Sequence, residues 1–402
     1  MHIAWLGKKT PFCGNVTYSR EVTNALLDRG HQVSFFHFAQ EATQETQTLV
    51  SKWEPHSPLN GGNGWSIGGC EVSLPCLYKS TIYTIPTLKS RKVLTQALRE
   101  LQPDLVHASL TLSPLDFVLP EICEELDLPL VATFHPPFAY ATARRSGRQH
   151  LQHLTYQLYA PFLLHYDKTI VFSQMQREVL GKLGVPPGKV AVIPNGVDVQ
   201  KYSPGYSQVK YELKAQRLFV YQGRIAMEKN VEALLKAWKQ CDLGADCKLA
   251  IVGDGPLAPS LQVYAGSEDN VLWLGYVANE QQRIEILRGA DVFILPSLVE
   301  GLSLSLLEAM ACGLACIATD VGADGEVLSN GAGVVLNSQG VTTQLKTLLP
   351  LFRDQPELIP VLGQKARQRV LDRYTLSGNI TQLENLYAEI LKARLGQVSR
   401  WR

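Results

Sequence analysis

Short apolar runs alternate along the chain with longer segments whose apolar residues recur every three or four positions. Residues 1–7 form one such run and predict a strand. A loop over 8–14 leads to residues 15–28, where Val16, Ser19, Val22, Ala25 and Leu26 lie at helical spacing. Gly30 stops that helix and residues 31–36 are the next strand, which completes a βαβ unit. Residues 88–101 and 151–164 read as helices, and 103–108, 130–135, 166–172 and 190–193 as strands. Residues 40–75 break the pattern with Gly61, Gly62, Gly64, Gly68 and Gly69, and predict a loop-rich insert with room for a hairpin. From 218 the alternation restarts. Strands are expected over 218–223, 248–252, 271–277, 290–295, 316–319 and 333–336. Helices are expected over 231–238, through Leu304, Leu307, Ala311 and Ala315 with Gly313 as a stop, and over 379–395. Strand alternating with helix is the pattern of an α/β fold, here two doubly wound domains. The expected division is 1–197 and 198–378, with the linker inside 201–217 and a final helix in 379–402.

Composition narrows the classes of function. The chain has 402 residues, ample for two cored domains. Its net charge of +1 offers no bulk field for nucleic acid. No apolar run reaches the ~18 residues of a membrane-spanning helix. The start is too short and too soon polar for a signal peptide. The eight cysteines contain no Cys-x-x-Cys pair and read as reduced, cytoplasmic thiols. Peripheral attachment to a membrane stays open.

The candidate chemistry centres on residues 295–313. Here the strand ending at Leu295 gives way to Pro296, Ser297 and Gly301, and then to a helix expected near Leu302. A loop of this kind lies at the carboxyl edge of a parallel sheet, where open α/β folds bind ligands. The N–H groups of Leu302, Ser303 and Leu304 are expected to face an anion such as a diphosphate. Glu300 and Glu308 bracket the helix start with seven residues between them. Carboxylates accept well from sugar hydroxyls. The two acids fit equally a helix start favoured by a nearby acid and a solvated glutamate. Gly223 ends another strand, and Arg224 and Lys229 follow on a loop before a helix, which suits a diphosphate or an ordinary cationic surface. Gly14 precedes a helix and leaves room for a ligand or backbone to approach. His135 ends a strand where a loop projects. The chain lacks a full dinucleotide fingerprint, a Walker lysine and an Asp-x-Asp triplet, so no metal site is expected.

The stretch from Glu300 through Glu308 to Ala309-Met310-Ala311-Cys312-Gly313 resembles the signature of retaining, nucleotide-sugar-dependent glycosyltransferases of family 4, the two-domain GT-B type. The resemblance implies two Rossmann-like domains facing across a cleft, the first for the acceptor and the second for the donor. The last helix is then expected to cross back onto the first domain. It implies that Glu300 faces the donor hexose and Glu308 the ribose, that Arg224 and Lys229 meet the diphosphate, and that His135 touches the hexose. The backbone around Tyr276 would cup the base. The family's Gly-Arg-to-Lys spacing departs slightly here, with four residues between Arg224 and Lys229. No cofactor is implied beyond the nucleotide sugar as co-substrate.

The opening stretch, residues 1–18, looks like that of bacterial digalactosyldiacylglycerol synthases of oxygenic phototrophs. This resemblance implies galactose from UDP-galactose and a membrane glycolipid acceptor. Residues 140–164 then offer Arg144, Arg145 and Arg148 to anionic headgroups, and Tyr156, Leu158, Tyr159, Phe162 and Leu163 to the interface. The same residues suit a buried helix face with solvated arginines. Rival functions are transfer to a soluble sugar or polysaccharide precursor, a non-catalytic nucleotide-sugar binder, and an epimerase or phosphorylase on the same layout.

Overall fold

A computed structural model describes residues 1–10, 13–40, 70–80, 83–110, 112–136 and 147–398. The chain divides into two compact units. Met1–Pro136, Leu154–Ile193 and Asn379–Arg402 form the first; Pro194–Gly378 is the body of the second.

The first unit is built on an eight-stranded sheet. Its strands are β1 (His2–Leu6), β2 (Gln32–Gln40), β3 (Glu71–Lys79), β4 (Thr84–Pro86), β5 (Leu105–Ser109), β6 (Leu130–Thr133), β7 (Lys168–Val171) and β8 (Val190–Val192), in the order β4-β3-β2-β1-β5-β6-β7-β8. All neighbours are parallel except β3 and β4. The order reverses direction between β1 and β5, which makes their carboxyl ends the switch point. The helix Gly14–Asp28 follows β1 and starts there. The second unit carries β9 (Arg217–Gln222), β10 (Cys247–Val252), β11 (Val271–Gly275), β12 (Val292–Leu295), β13 (Ala315–Thr319) and β14 (Val334–Leu336), in the order β11-β10-β9-β12-β13-β14. Its switch point lies between β9 and β12, paired in parallel through Phe219–Val292 and Val220–Phe293. Both strands are apolar runs buried on both faces, as parallel sheets require.

Several expectations change. Residues 40–75 are not irregular throughout: β2 runs on to Gln40, and β3 includes Pro75. Residues 41–69 lie outside the described part. Ala315 belongs to β13, not to the helix, because Gly313 at φ +81 has already turned the chain. The final helix, Leu376–Val398, buries Ile380, Leu383, Leu386, Tyr387 and Ile390. It is fastened to the first unit by Glu384, which pairs with Arg29 at 2.6 Å and His31 at 2.8 Å. The helix Gly147–Leu163 corrects the interface reading. Tyr156, Tyr159 and Leu163 are core residues of the first unit. The Tyr159 hydroxyl donates to Asp116 at 2.6 Å, and that of Tyr156 to the Pro136 carbonyl at 3.0 Å. Arg144 and Arg145 lie outside the described residues, as does the Arg148 side chain.

Candidate active site

In the second unit, the expected residues gather at the carboxyl ends of β9 and β12. Lys229 ends a short 3-10 turn, Met227–Lys229, and its Nζ reaches Glu300 Oε1 at 2.5 Å. Glu300 is 8% exposed, so this is a nearly buried ion pair. The Ser297 hydroxyl donates to the same oxygen at 2.7 Å, and the Thr319 hydroxyl donates to the Ser297 carbonyl at 2.5 Å. The acid is therefore held from its own loop and from β13. On the other side, Gln222, the last residue of β9, donates from Nε2 to Glu308 Oε2 at 2.8 Å. The helix Leu304–Ala311 carries Glu308 one turn from its start. The buried Tyr202 phenol is raised above its usual range, by burial first and then by the Glu308 charge.

Ser303 caps this helix, its hydroxyl accepting from Leu306 N at 3.3 Å. Its own N–H does not await an anion. It donates to Asp324 Oδ1 at 2.9 Å, a carboxylate 21 residues further on. Asp324 is fully buried, and burial, followed by the charge of Glu300, pushes it well above the ordinary carboxylate range. Leu304, half-buried, opens the helix proper. Next to Gly223, the end of β10 requires a glycine of its own. Gly253, at φ +134, crosses so close that a Cβ there would lie 1.9 Å from the Gly223 carbonyl. The loops after β9 and β10 are thus locked together, with Gly223 N donating to Val252 O at 2.9 Å and Ile225 N to Asp254 O at 2.9 Å. Arg224 is 47% exposed, with Glu228 at 3.8 Å. Tyr276 is 60% exposed just past β11, on the same carboxyl edge but two strands from β9.

In the first unit, Gly14 and His135 stand at the β1/β5 switch point. Among the described residues, no atom outside its own helix and chain neighbours lies within 4 Å of a Cβ built on Gly14. His135 Nε2 is 2.8 Å from Ser109 Oγ, and the Ser109 hydroxyl donates to Asn15 Oδ1 at 2.9 Å. An amide oxygen only accepts, so the serine proton is committed to Asn15 and the serine oxygen accepts from His135. The neutral ring therefore carries its proton on Nε2 and its lone pair on Nδ1. Tyr18 stands edge-on to it at 4.9 Å. Beneath, His107 stacks on Trp5 at 4.0 Å and bonds Thr133 Oγ1 at 2.8 Å and the Tyr387 hydroxyl at 2.5 Å. Burial, then the His135 charge, depresses His107 to about 3; burial, then the Lys8 charge, depresses His135 to about 3. Both are neutral in the folded protein, while an unfolded chain protonates them below about 6.5. Stability is complete above that value and lost as pH falls toward 3, by up to about 1.4 kcal/mol per unit for each ring. Urea unfolding between about pH 7 and 5, where most carboxylates stay ionised, should show this slope, and His107→Gln should reduce it. A flat profile would place the two rings in water.

Gln222, Asp324, Ser109 and Asn15 were not among the residues singled out in the sequence, and Ser297 was named only as the end of a strand. Only Gln222, directly before Gly223 at a strand end, carried a local signal.

Two family models match the chain: Glycosyltransferase Family 4 over residues 13–201, and Glycosyl transferases group 1 over residues 216–354. The UDP-Gal:alpha-D-GlcNAc-diphosphoundecaprenol alpha-1,3-galactosyltransferase of Escherichia coli is 26% identical over 329 residues, 77% of this chain and 81% of that protein. The N-acetyl-alpha-D-glucosaminyl L-malate synthase of Bacillus anthracis is 30% identical over 221 residues, covering only 52% of this chain and 56% of that one. Anabaena HepE, solved in complex with UDP-glucose, aligns with a TM-score of 0.73 at 17% identity, over 98% of this chain and all of that one. With both sheets and both switch points in place, the Glycosyltransferase Family 4 match over the first half and the Glycosyl transferases group 1 match over the second give this chain the two domains of a glycosyltransferase of the GT-B type.

Proposed function

We propose that the protein transfers a hexose, with retention, from a UDP-sugar, and that the reaction is galactose from UDP-galactose onto monogalactosyldiacylglycerol, giving digalactosyldiacylglycerol. The observation that carries the donor half is the pairing of Lys229 with Glu300 beside that of Gln222 with Glu308, at one switch point. Glu308 accepts from ribose hydroxyls and Glu300 from the hexose. As the bond from C1 to the diphosphate oxygen breaks, negative charge grows on the leaving group and positive charge on the sugar. Lys229 and Arg224 supply cations for the first, in a site already organised before the charge appears. His135 offers Nδ1 as an acceptor to a sugar hydroxyl. No metal and no cofactor are invoked. A UDP donor is supported by the UDP-Gal and UDP-glucose in the names of two of the similar proteins. A lipid acceptor is supported by the diphosphoundecaprenol acceptor of the first.

The test is a matrix of UDP-galactose, UDP-glucose and GDP-mannose against monogalactosyldiacylglycerol, soluble sugars and malate, with products identified by mass and anomeric coupling. An α-linked digalactosyl lipid from UDP-galactose supports the reading. Turnover confined to a soluble acceptor overturns its lipid half, and turnover only with GDP-mannose its donor half. Within the same scheme Glu308→Ala should weaken UDP binding by about 1–3 kcal/mol, a charged hydrogen bond lost. Calorimetry with free UDP reads this directly, and an unchanged Kd in a folded variant removes Glu308 from the site.

A further inference from the structure

The outer edge of the first sheet exposes large apolar side chains that the expected chemistry does not use. Along β3, β4 and the residue capping the next helix, Leu77 is 69% exposed, Tyr78 45%, Tyr83 44%, Ile85 41% and Leu88 100%. Tyr78 pairs with Ile85 across the antiparallel ladder, and the rings of Tyr78 and Tyr83 are 5.4 Å apart. Tyr78, Tyr83 and Ile85 therefore make one patch, and Leu88 stands three residues beyond Ile85. The helix that follows, Lys89–Leu101, buries Ser90, Leu94, Ala97 and Leu98 and turns Lys89, Arg91, Lys92 and Arg99 outward. Leu88 shares one open hollow with Arg91, Lys92 and Arg99, and with Glu100 and Glu125, so an exposed leucine adjoins the cations. Arg91 is answered by Glu121 at 2.9 Å and Glu125 at 3.6 Å; Lys92 and Arg99 leave the outer face positive against Glu100.

We infer that the β3–β4 hairpin and the start of the helix Lys89–Leu101 form the surface by which this protein docks on an anionic lipid bilayer. Leucine and isoleucine enter the acyl boundary, and tyrosines sit at headgroup level with the hydroxyl wet. The neighbouring cations meet lipid phosphates, each adding to affinity near the surface. A second copy of the chain fits less well. It would bring a second set of cations against the first, and β4, three residues long, offers little edge for strand pairing. This surface takes the place of the Tyr156, Tyr159 and Leu163 face, which is buried. It rests on the lipid acceptor proposed above, since an enzyme whose acceptor stays in a bilayer must come to it.

The experiment uses the full chain with vesicles of phosphatidylcholine alone or with phosphatidylglycerol. The wild type should sediment with the mixed vesicles, less so in added salt. Tyr83→Ser with Leu88→Ser, both at exposed positions, should weaken binding about tenfold or more, the equivalent of two apolar anchors. Lys92→Glu should weaken it on the anionic vesicles only. Leu158→Ser, on a 49% exposed leucine of another helix, serves as the control and should bind as wild type. Transfer to a detergent-dissolved acceptor should be unchanged in the hairpin variant. The inference is overturned if the wild type ignores both vesicles, if the hairpin variant binds as well as wild type, or if only Leu158→Ser detaches. It is overturned in favour of a second copy if ultracentrifugation shows a dimer that the hairpin variant loses. Hairpin-dependent binding without transfer to any lipid would retire the lipid acceptor and leave the surface standing.

Discussion

Lys229→Ala should lower kcat by about 10²–10³, the scale of losing one preorganised electrostatic group. The reason is more than a missing cation. Glu300, 8% exposed, takes its strongest bond from Lys229 at 2.5 Å. Without the ammonium, the carboxylate faces the incoming diphosphate as a like charge just where leaving-group charge must grow. Breaking a buried pair costs about 3–5 kcal/mol of stability. Lys229 keeps 21% of its side chain exposed, so water softens the loss and the low end applies. Stability and turnover are separable. Lys229→Met combined with Glu300→Gln removes both charges, so melting should recover most of the loss while kcat stays low. A folded Lys229→Ala enzyme turning over within about twofold of wild type would make Lys229 a structural partner and no more.

The parts of this site that were legible in the sequence are those whose signal is local. The strands before Gly223 and Pro296 are unbroken apolar runs, and Glu300, Glu308 and Lys229 follow them at short range. Gln222 stood at a legible strand end, but its partner Glu308 is 86 residues on, and the partner of Asp324 is likewise distant; Ser297 bonds Glu300 only three residues away, yet nothing in the sequence shows that the loop turns its hydroxyl onto that acid. Asp324 takes the Ser303 N–H from 21 residues away, so a count of helix-start donors reads that group as open when it is not. The helix Gly147–Leu163 fails for a different reason. It is apolar on both sides: Tyr156, Tyr159 and Leu163 are buried, while Leu154 and Leu158 are exposed. Periodicity alone does not say which stripe meets the core. The strand Glu71–Lys79 was hidden by Pro75 and by the glycine-rich stretch before it, since prolines ordinarily mark a break. Pro75 has no N–H to give, and its carbonyl, which accepts from Thr87 N and the Ser90 hydroxyl, stands where the ladder to β4, paired from Cys76 onward, has ended, so no β4 acceptor is left waiting for it.

Gly322→Ala should lower kcat/KM by about a hundredfold, the cost of a ~1 Å displacement of a catalytic group. Gly322 has φ +59, and a Cβ there would lie 2.3 Å from the Glu300 carbonyl and 2.4 Å from that of Gly301. Both neighbours are backbone, so neither swings aside as a side chain would. The adjoining residue tightens the contact, with Ala323 N donating to Gly301 O at 2.7 Å. A methyl group therefore drives the Glu300–Gly301 segment off, and the carboxylate moves with it, away from Lys229 and Ser297. The left-handed backbone adds about 1–2 kcal/mol of instability whatever the space. Gly340 separates the two effects. It has φ +70 but nothing within 4 Å of its Cβ, and it caps the helix Val341–Asp354. Gly340→Ala should share the loss in melting temperature and keep wild-type kcat/KM, while Gly322→Ala loses both. If the two variants differ in kcat/KM by less than about threefold, the Glu300 loop tolerates displacement, and its position is not what the chemistry depends on.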